Sequence, residues 1–142
     1  MRNYEARKPS YFATPSPQLI YALNTSLKQI TVNLPERFAQ HYKVSRYVKD
    51  SLEALGLKQL AAEKEAQANG MTAVYLPEGI TLPDLLPKLA ARDVIFAGGV
   101  HKEIATKYFR FGHMGVSALN SELGHVEKAL KALRESLAAC RK

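Results

Sequence analysis

Arg110 stands in the run KYFRFGHMG, residues 107–115, where Tyr108, Arg110 and Gly112 alternate with Phe109, Phe111 and His113. Alternation of this kind places the two sets on opposite faces of a strand, with Arg110 across from two aromatics. A guanidinium so placed offers paired N–H donors that match a carboxylate, or makes a structural ion pair on an exposed sheet face; the run alone leaves both open. Tyr11 and Thr14, three positions apart in YFATP, supply two hydroxyls, and by themselves read as an aromatic anchor and a helix-start residue before Pro15. Gly98-Gly99 ahead of Val100-His101 gives a loop in which the backbone can come close to a ligand, or one that chain geometry alone requires. His113 falls on the face opposite Arg110, where a packed histidine is expected rather than a catalytic base. His41 and His125 belong to separate helices with no carboxylate–histidine spacing of the zinc or iron kind, so a metal is not expected.

These residues need elements to hold them. Residues 1–17, rich in proline, basic and aromatic residues, show no periodicity and read as an extended entry segment. Leu19, Ile20, Leu23, Leu27 and Ile30 recur at helical spacing after Pro17, which is acceptable in a first turn. A second helix opens at Leu34-Pro35-Glu36, with an expected buried stripe of Phe38, Tyr42, Ser45, Val48, Leu52 and Leu55 and a left-handed stop at Gly56. LKQLAA and MTAVYLP read as strands, TLPDLLPKLAARD as a helix capped by Thr81, and VIFAGG as a buried strand. Asn120 is the expected cap of a last helix whose stripe is Val126, Leu130, Leu133 and Leu137. The sum is an α+β fold, a small mostly antiparallel sheet with helices over one face and the other face open.

The 142 residues suit one domain, and a 46% hydrophobic fraction is ample for a core. No apolar stretch reaches the roughly 20 residues of a membrane span, and the N-terminus lacks a signal-peptide core, so a soluble intracellular protein is expected, its compartment unresolved. The single Cys140 excludes an internal disulfide and a thiolate metal cluster. A formal charge of +7 and a pI near 9.6 suit a polyanion, anionic small substrates or a phosphorylated cofactor.

YFATP followed by QLIYALN, then FAGGVHKEI at 96–104 and YFRFGHMG at 108–115, occur in the order found in the C-terminal portion of alanine–glyoxylate and serine–pyruvate aminotransferases of fold type I. Together they extend the resemblance over nearly the whole chain, and NYEARKPSYFATP resembles fungal members in particular. The resemblance implies the small domain of a pyridoxal 5'-phosphate (PLP) enzyme, with residues 1–17 belonging to the large-domain and cofactor region and residues 18–142 forming the small domain. It implies that Arg110 binds the substrate carboxylate, and that Tyr11 and Thr14 reach the cofactor phosphate of the neighbouring subunit in a homodimer. The glycine loop and His101 would lie near the mouth of the active site. The substrates implied are amino acids such as alanine or serine and 2-oxo acids such as glyoxylate or pyruvate, with no nucleic acid and no membrane as partners. The family's Schiff-base lysine precedes YFATP, and no lysine here lies in a matching motif. The chain alone is therefore expected to be inactive without an upstream large domain.

Two other readings compete. The chain could be a non-catalytic small-domain protein that assembles through its open sheet face. KYFRFGHM also bears a superficial likeness to the basic, aromatic strand of an RNA-binding α+β module, but that motif needs glycine where Tyr108 stands, and no second aromatic strand is visible.

Overall fold

Alternation in the arginine run takes physical form as the central strand of a three-stranded antiparallel sheet. In this computed structural model, residues 2–10 and 14–141 are described, and they divide into two compact units, Met1–Leu34 and Pro35–Lys142. The first contains α1 (Arg2–Glu5) and α2 (Pro17–Thr31), with Pro17 in the first turn as its missing N–H allows. Among the described residues of that unit nothing covers the apolar stripe of α2, and no residue of the helix is buried.

The second unit carries α3 (Leu34–Ala54, entered from the last residue of the first), β1 (Met71–Tyr75), α4 (Leu82–Ala90), β2 (Ala97–Gly98), β3 (Tyr108–Gly112), α5 (Val116–Leu119) and α6 (His125–Cys140). The sheet order is β1-β3-β2, with Arg110 opposite Ala73 on one side and Ala97 on the other. One face of the sheet is dry. Val74, Phe109 and Phe111 pack there with Val48 and Leu52 of α3, Leu85 and Leu89 of α4, and Val126, Leu130, Leu133 and Leu137 of α6. Burying each such side chain stabilises the unit by about 1.5–3 kcal/mol. The expected α+β architecture, with helices over one sheet face, is what forms.

Several boundaries differ from the sequence reading, each for a local reason. The stripe of α3 is buried only from Ser45 onward, while Phe38 and Tyr42 are exposed, because the helix begins well before the sheet it covers. LKQLAA contributes one bridge, Gln59 to Val74, rather than a strand, as the 3₁₀ turn Lys64–Ala66 soon redirects the chain. VIFAGG gives only Ala97–Gly98 to the sheet. The Val94 N–H is spent on Leu89 O at the end of α4, and Asp93 turns left-handed at φ 57°. Asn120 caps the 3₁₀ turn Ser121–Leu123 by accepting from the Glu122 N–H, leaving Gly124 at the start of α6. Thr81 caps α4 as expected, with Asp84 returning the bond to the Thr81 N–H at 3.0 Å.

Candidate functional site

Directly opposed residues of an antiparallel pair share a face. Ala73, Ala97 and Arg110 therefore form a row across the open side of the sheet, flanked by Met71 opposite Gly112 and by Tyr75 opposite Tyr108. The two residues directly opposite the arginine are thus small alanines. Arg110 is half-buried, and its Nε donates to Gly98 O at 2.8 Å. Among the described residues no carboxylate pairs with it, so the structural ion-pair reading finds no partner here. The Nη nitrogens thus remain as two parallel donors beyond a fixed Nε, the arrangement that meets a carboxylate end-on. A concavity of about 390 Å³ lined by Ile95, Phe96, Gly112, His125 and Lys128 lies beside the strand, but Arg110 is not part of its wall.

The glycine loop is fastened to β3 by two side chains. Besides the Arg110 bond to Gly98, the phenolic oxygen of Tyr108 accepts from the His101 N–H at 3.1 Å and the Val100 N–H at 2.9 Å. Those two donors stabilise the phenolate and hold the Tyr108 hydroxyl below its ordinary pKa, the His101 N–H most and the Val100 N–H next. Gly99 donates to Ala105 O at 3.0 Å, and a Cβ at Gly99 would lie 2.7 Å from that same oxygen and run into the Tyr108 ring. Glycine is required there by close approach. His101 is exposed and contributes its main-chain N–H to this arrangement.

The remaining histidines have structural partners. His113 is fully buried, with Nε2 2.8 Å from Thr72 Oγ1 and Nδ1 without a hydrogen-bond partner among the described residues. Burial first, and the nearby Lys49 charge second, push its pKa down to about 4, so it stays neutral near pH 7. Lys49 is itself buried, donating to Ser45 Oγ and, at 2.8 Å, to Ala68 O. Its pKa is lowered by desolvation and then by Arg46. His41 accepts from the Gly115 N–H at 3.2 Å, and His125 Nδ1 lies 3.1 Å from Ser117 Oγ. No cluster of three metal-binding side chains exists among the described residues.

Tyr11 lies outside the described residues. Thr14 is exposed in the first unit, two residues before Ser16 at the start of α2. Sequence reasoning singled out Arg110 and passed over Tyr108 and Lys49. Lys49 had a signal, since it follows Ser45 by four residues beside an expected buried stripe. Tyr108 had a weaker one, a tyrosine sharing a strand face with the arginine downstream of a Gly-Gly loop.

No protein-family model matches the chain. Alanine–glyoxylate aminotransferase 1 of Saccharomyces cerevisiae is 40% identical over 141 residues, covering 96% of this chain and 36% of that protein. Serine–glyoxylate aminotransferase of Hyphomicrobium methylovorum is 33% identical over 105 residues, covering 72% of this chain and 26% of its own length. Among solved structures, pyridoxamine–pyruvate aminotransferase from Mesorhizobium loti superposes with a TM-score of 0.82 at 26% identity, covering 96% of this chain and 34% of that one. The chain thus spans about a third or less of the proteins it matches.

Proposed function

We propose that this chain, similar in sequence and fold to the C-terminal small domain of the alanine–glyoxylate and serine–glyoxylate aminotransferases, supplies the carboxylate clamp and auxiliary cofactor contacts of such an enzyme. The observation that carries this reading is Arg110: a half-buried guanidinium on an open sheet face, oriented through Nε by a main-chain carbonyl, with its outer donors facing no carboxylate among the described residues. Alanine, serine, glyoxylate and pyruvate differ in their side chains but share one carboxylate. A planar two-pronged donor recognises that shared group and fixes the direction of the carbon beside it.

The residues present fit one edge of a PLP site. A threonine hydroxyl such as that of Thr14 has the right chemistry for a secondary contact to a phosphate oxygen and too little to neutralise a phosphate dianion. That accords with Thr14, and Tyr11 beside it in sequence, completing a phosphate site built mainly by a neighbouring subunit in a homodimer. When bound, PLP supplies the electron sink for moving an amino group between an amino acid and a 2-oxo acid. Lys49, the buried lysine, is committed to Ser45 and Ala68 and is not available to carry the cofactor. In this reading the cofactor-bearing lysine lies upstream, and the chain alone does not transaminate.

The burial of Phe109 and Phe111, at 0% and 1% exposed, argues against an RNA-binding surface, because base stacking needs those rings in the open. No helix among the described residues is long and apolar enough to cross a membrane.

The test is amino transfer by this chain coexpressed with an upstream large domain. Arg110→Ala should lower kcat/KM for alanine and glyoxylate by about 100-fold or more, the usual scale for truncating one partner of a buried charge pair. Arg110→Lys should fall between, since it keeps the charge and loses the fork. A wild-type rate in Arg110→Ala rejects the clamp.

A further inference from the structure

The geometry points to Tyr108 as a positioning residue for substrate carboxylate binding, acting through the glycine loop on the orientation of Arg110. The inference rests on the clamp reading above and extends it from one side chain to the structure that aims it.

Tyr108 and Arg110 sit two residues apart on β3 and face the same side of the sheet. Both reach into a single loop. Arg110 holds Gly98 O through Nε, while Tyr108 takes the N–H groups of Val100 and His101 two and three residues further on. Between these anchors, Gly99 is pressed against the Tyr108 ring and bonded to Ala105 O. β2 pairs with the sheet through Ala97 and Gly98 alone, so strand pairing contributes little to fixing the Gly98 carbonyl. Further restraint on that carbonyl's direction comes from the Gly99 N–H, which shares its peptide plane and donates to Ala105 O, and from the loop beyond, which the Tyr108 ring abuts and the Tyr108 oxygen closes.

A bidentate carboxylate contact is sensitive to the roll of the guanidinium plane, because both Nη donors must lie in the plane of the two carboxylate oxygens. Nε–H is rigid with that plane. Whatever fixes the acceptor of Nε–H therefore fixes the plane, and a Gly98 carbonyl free to swing would let the fork rotate out of line. Tyr108 is 3% exposed, and its phenolic oxygen is taken up by the two loop amides. Its contribution is to remove that freedom before substrate arrives, which lowers the cost of binding without adding a contact. The loop is bolted at both ends.

Tyr108→Phe keeps the buried ring and removes the acceptor oxygen. Hydrogen–deuterium exchange on this chain should show the Val100 and His101 amides exchanging about tenfold faster or more, as the loss of a hydrogen bond to each predicts. In the enzyme completed with its large domain, KM for both the amino acid and the oxo acid should rise about tenfold, with kcat changed less than about twofold. Gly99→Ala, which displaces the ring or the Ala105 carbonyl while leaving the phenol intact, should give the same KM-selective loss. Amides that stay protected in Tyr108→Phe overturn the inference, as does their release with KM unchanged. Arg110→Lys separates the two claims. If it raises KM and Tyr108→Phe does not, the clamp stands and the positioning role falls; if Arg110→Lys leaves KM unchanged, the clamp is absent and the inference falls with it.

Discussion

Phe109 and Arg110 are neighbours on one strand, yet they are held by different physics. Phe109 faces a core in which Phe96 stacks on it at 5.7 Å, 7° from parallel, while Val74 pairs with it from β1. Arg110 faces two alanines and is fixed by one hydrogen bond to a loop carbonyl. Packing on the first face is cooperative and intolerant of lost volume. On the second face, position depends on a few directional bonds that can be cut singly without collapsing a core. The pleat of one short strand thus separates residues that make the fold from residues that could use it, and the dry face is what keeps the wet face in register.

That contrast is open to attack from its heavier side first. Phe109→Ala removes a ring with no exposed surface and should lower unfolding free energy by about 3–5 kcal/mol, read from urea denaturation. A cost below about 1 kcal/mol would mean that the core does not depend on the inner face of β3, and the division between the faces would fail.

His113 tests the same face through protons instead of volume. It extends the inner row of β3, buried against Thr72 and Phe111, with Lys49 and His41 as the nearby basic groups. With a folded pKa of about 4 against an ordinary value near 6.5, the unfolded chain takes up a proton at pH values where the folded chain does not. Stability is therefore fully present above about pH 6.5 and is lost as pH falls from there toward 4. The slope approaches about 1.4 kcal/mol per pH unit, for a total near 3 kcal/mol. Carboxylates titrate at the lower end of this window, so the quantity to measure is the difference between wild type and His113→Asn. The variant should lose much of the slope between pH 6.5 and 5. Equal slopes would show that His113 is already solvated or charged in the folded state.

Legibility in the sequence follows the same division. Period-two alternation in KYFRFGHMG identified the strand and assigned Arg110 and His113 to opposite faces, because a pleat leaves that trace wherever one side is dry. The stripe Val126, Leu130, Leu133 and Leu137 was equally plain, as was the cap at Thr81. What could not be read depended on pairing over distance. VIFAGG has the composition of a buried strand, but Ile95 is 82% exposed because the end of α4 claims the backbone of Val94. Nor does anything local in the sequence say that the Tyr108 phenol reaches the amides of Val100 and His101, eight and seven residues upstream. The resemblance of three order-preserving motifs implied a carboxylate clamp at Arg110, but the Tyr108 bonds to the loop, proposed above to aim it, become visible only once β3 and the loop are side by side.

The smallest expected effect is on the stability of the open face itself. Arg110→Ala deletes the bond to Gly98 O and part of a half-buried stem, while Ala73 and Ala97 lose no packing partner of consequence. One hydrogen bond of this kind contributes about 0.5–1.5 kcal/mol net, and at a partly solvated site water can take over the carbonyl. Unfolding free energy should therefore fall by about 1 kcal/mol or less, even though the same substitution is expected to remove about two orders of magnitude in kcat/KM. Measured beside Phe109→Ala, the two variants should show large and small stability losses at adjacent positions. A loss of about 3 kcal/mol in Arg110→Ala would make the arginine a structural brace, and its loss of activity would then report a damaged fold rather than a missing clamp.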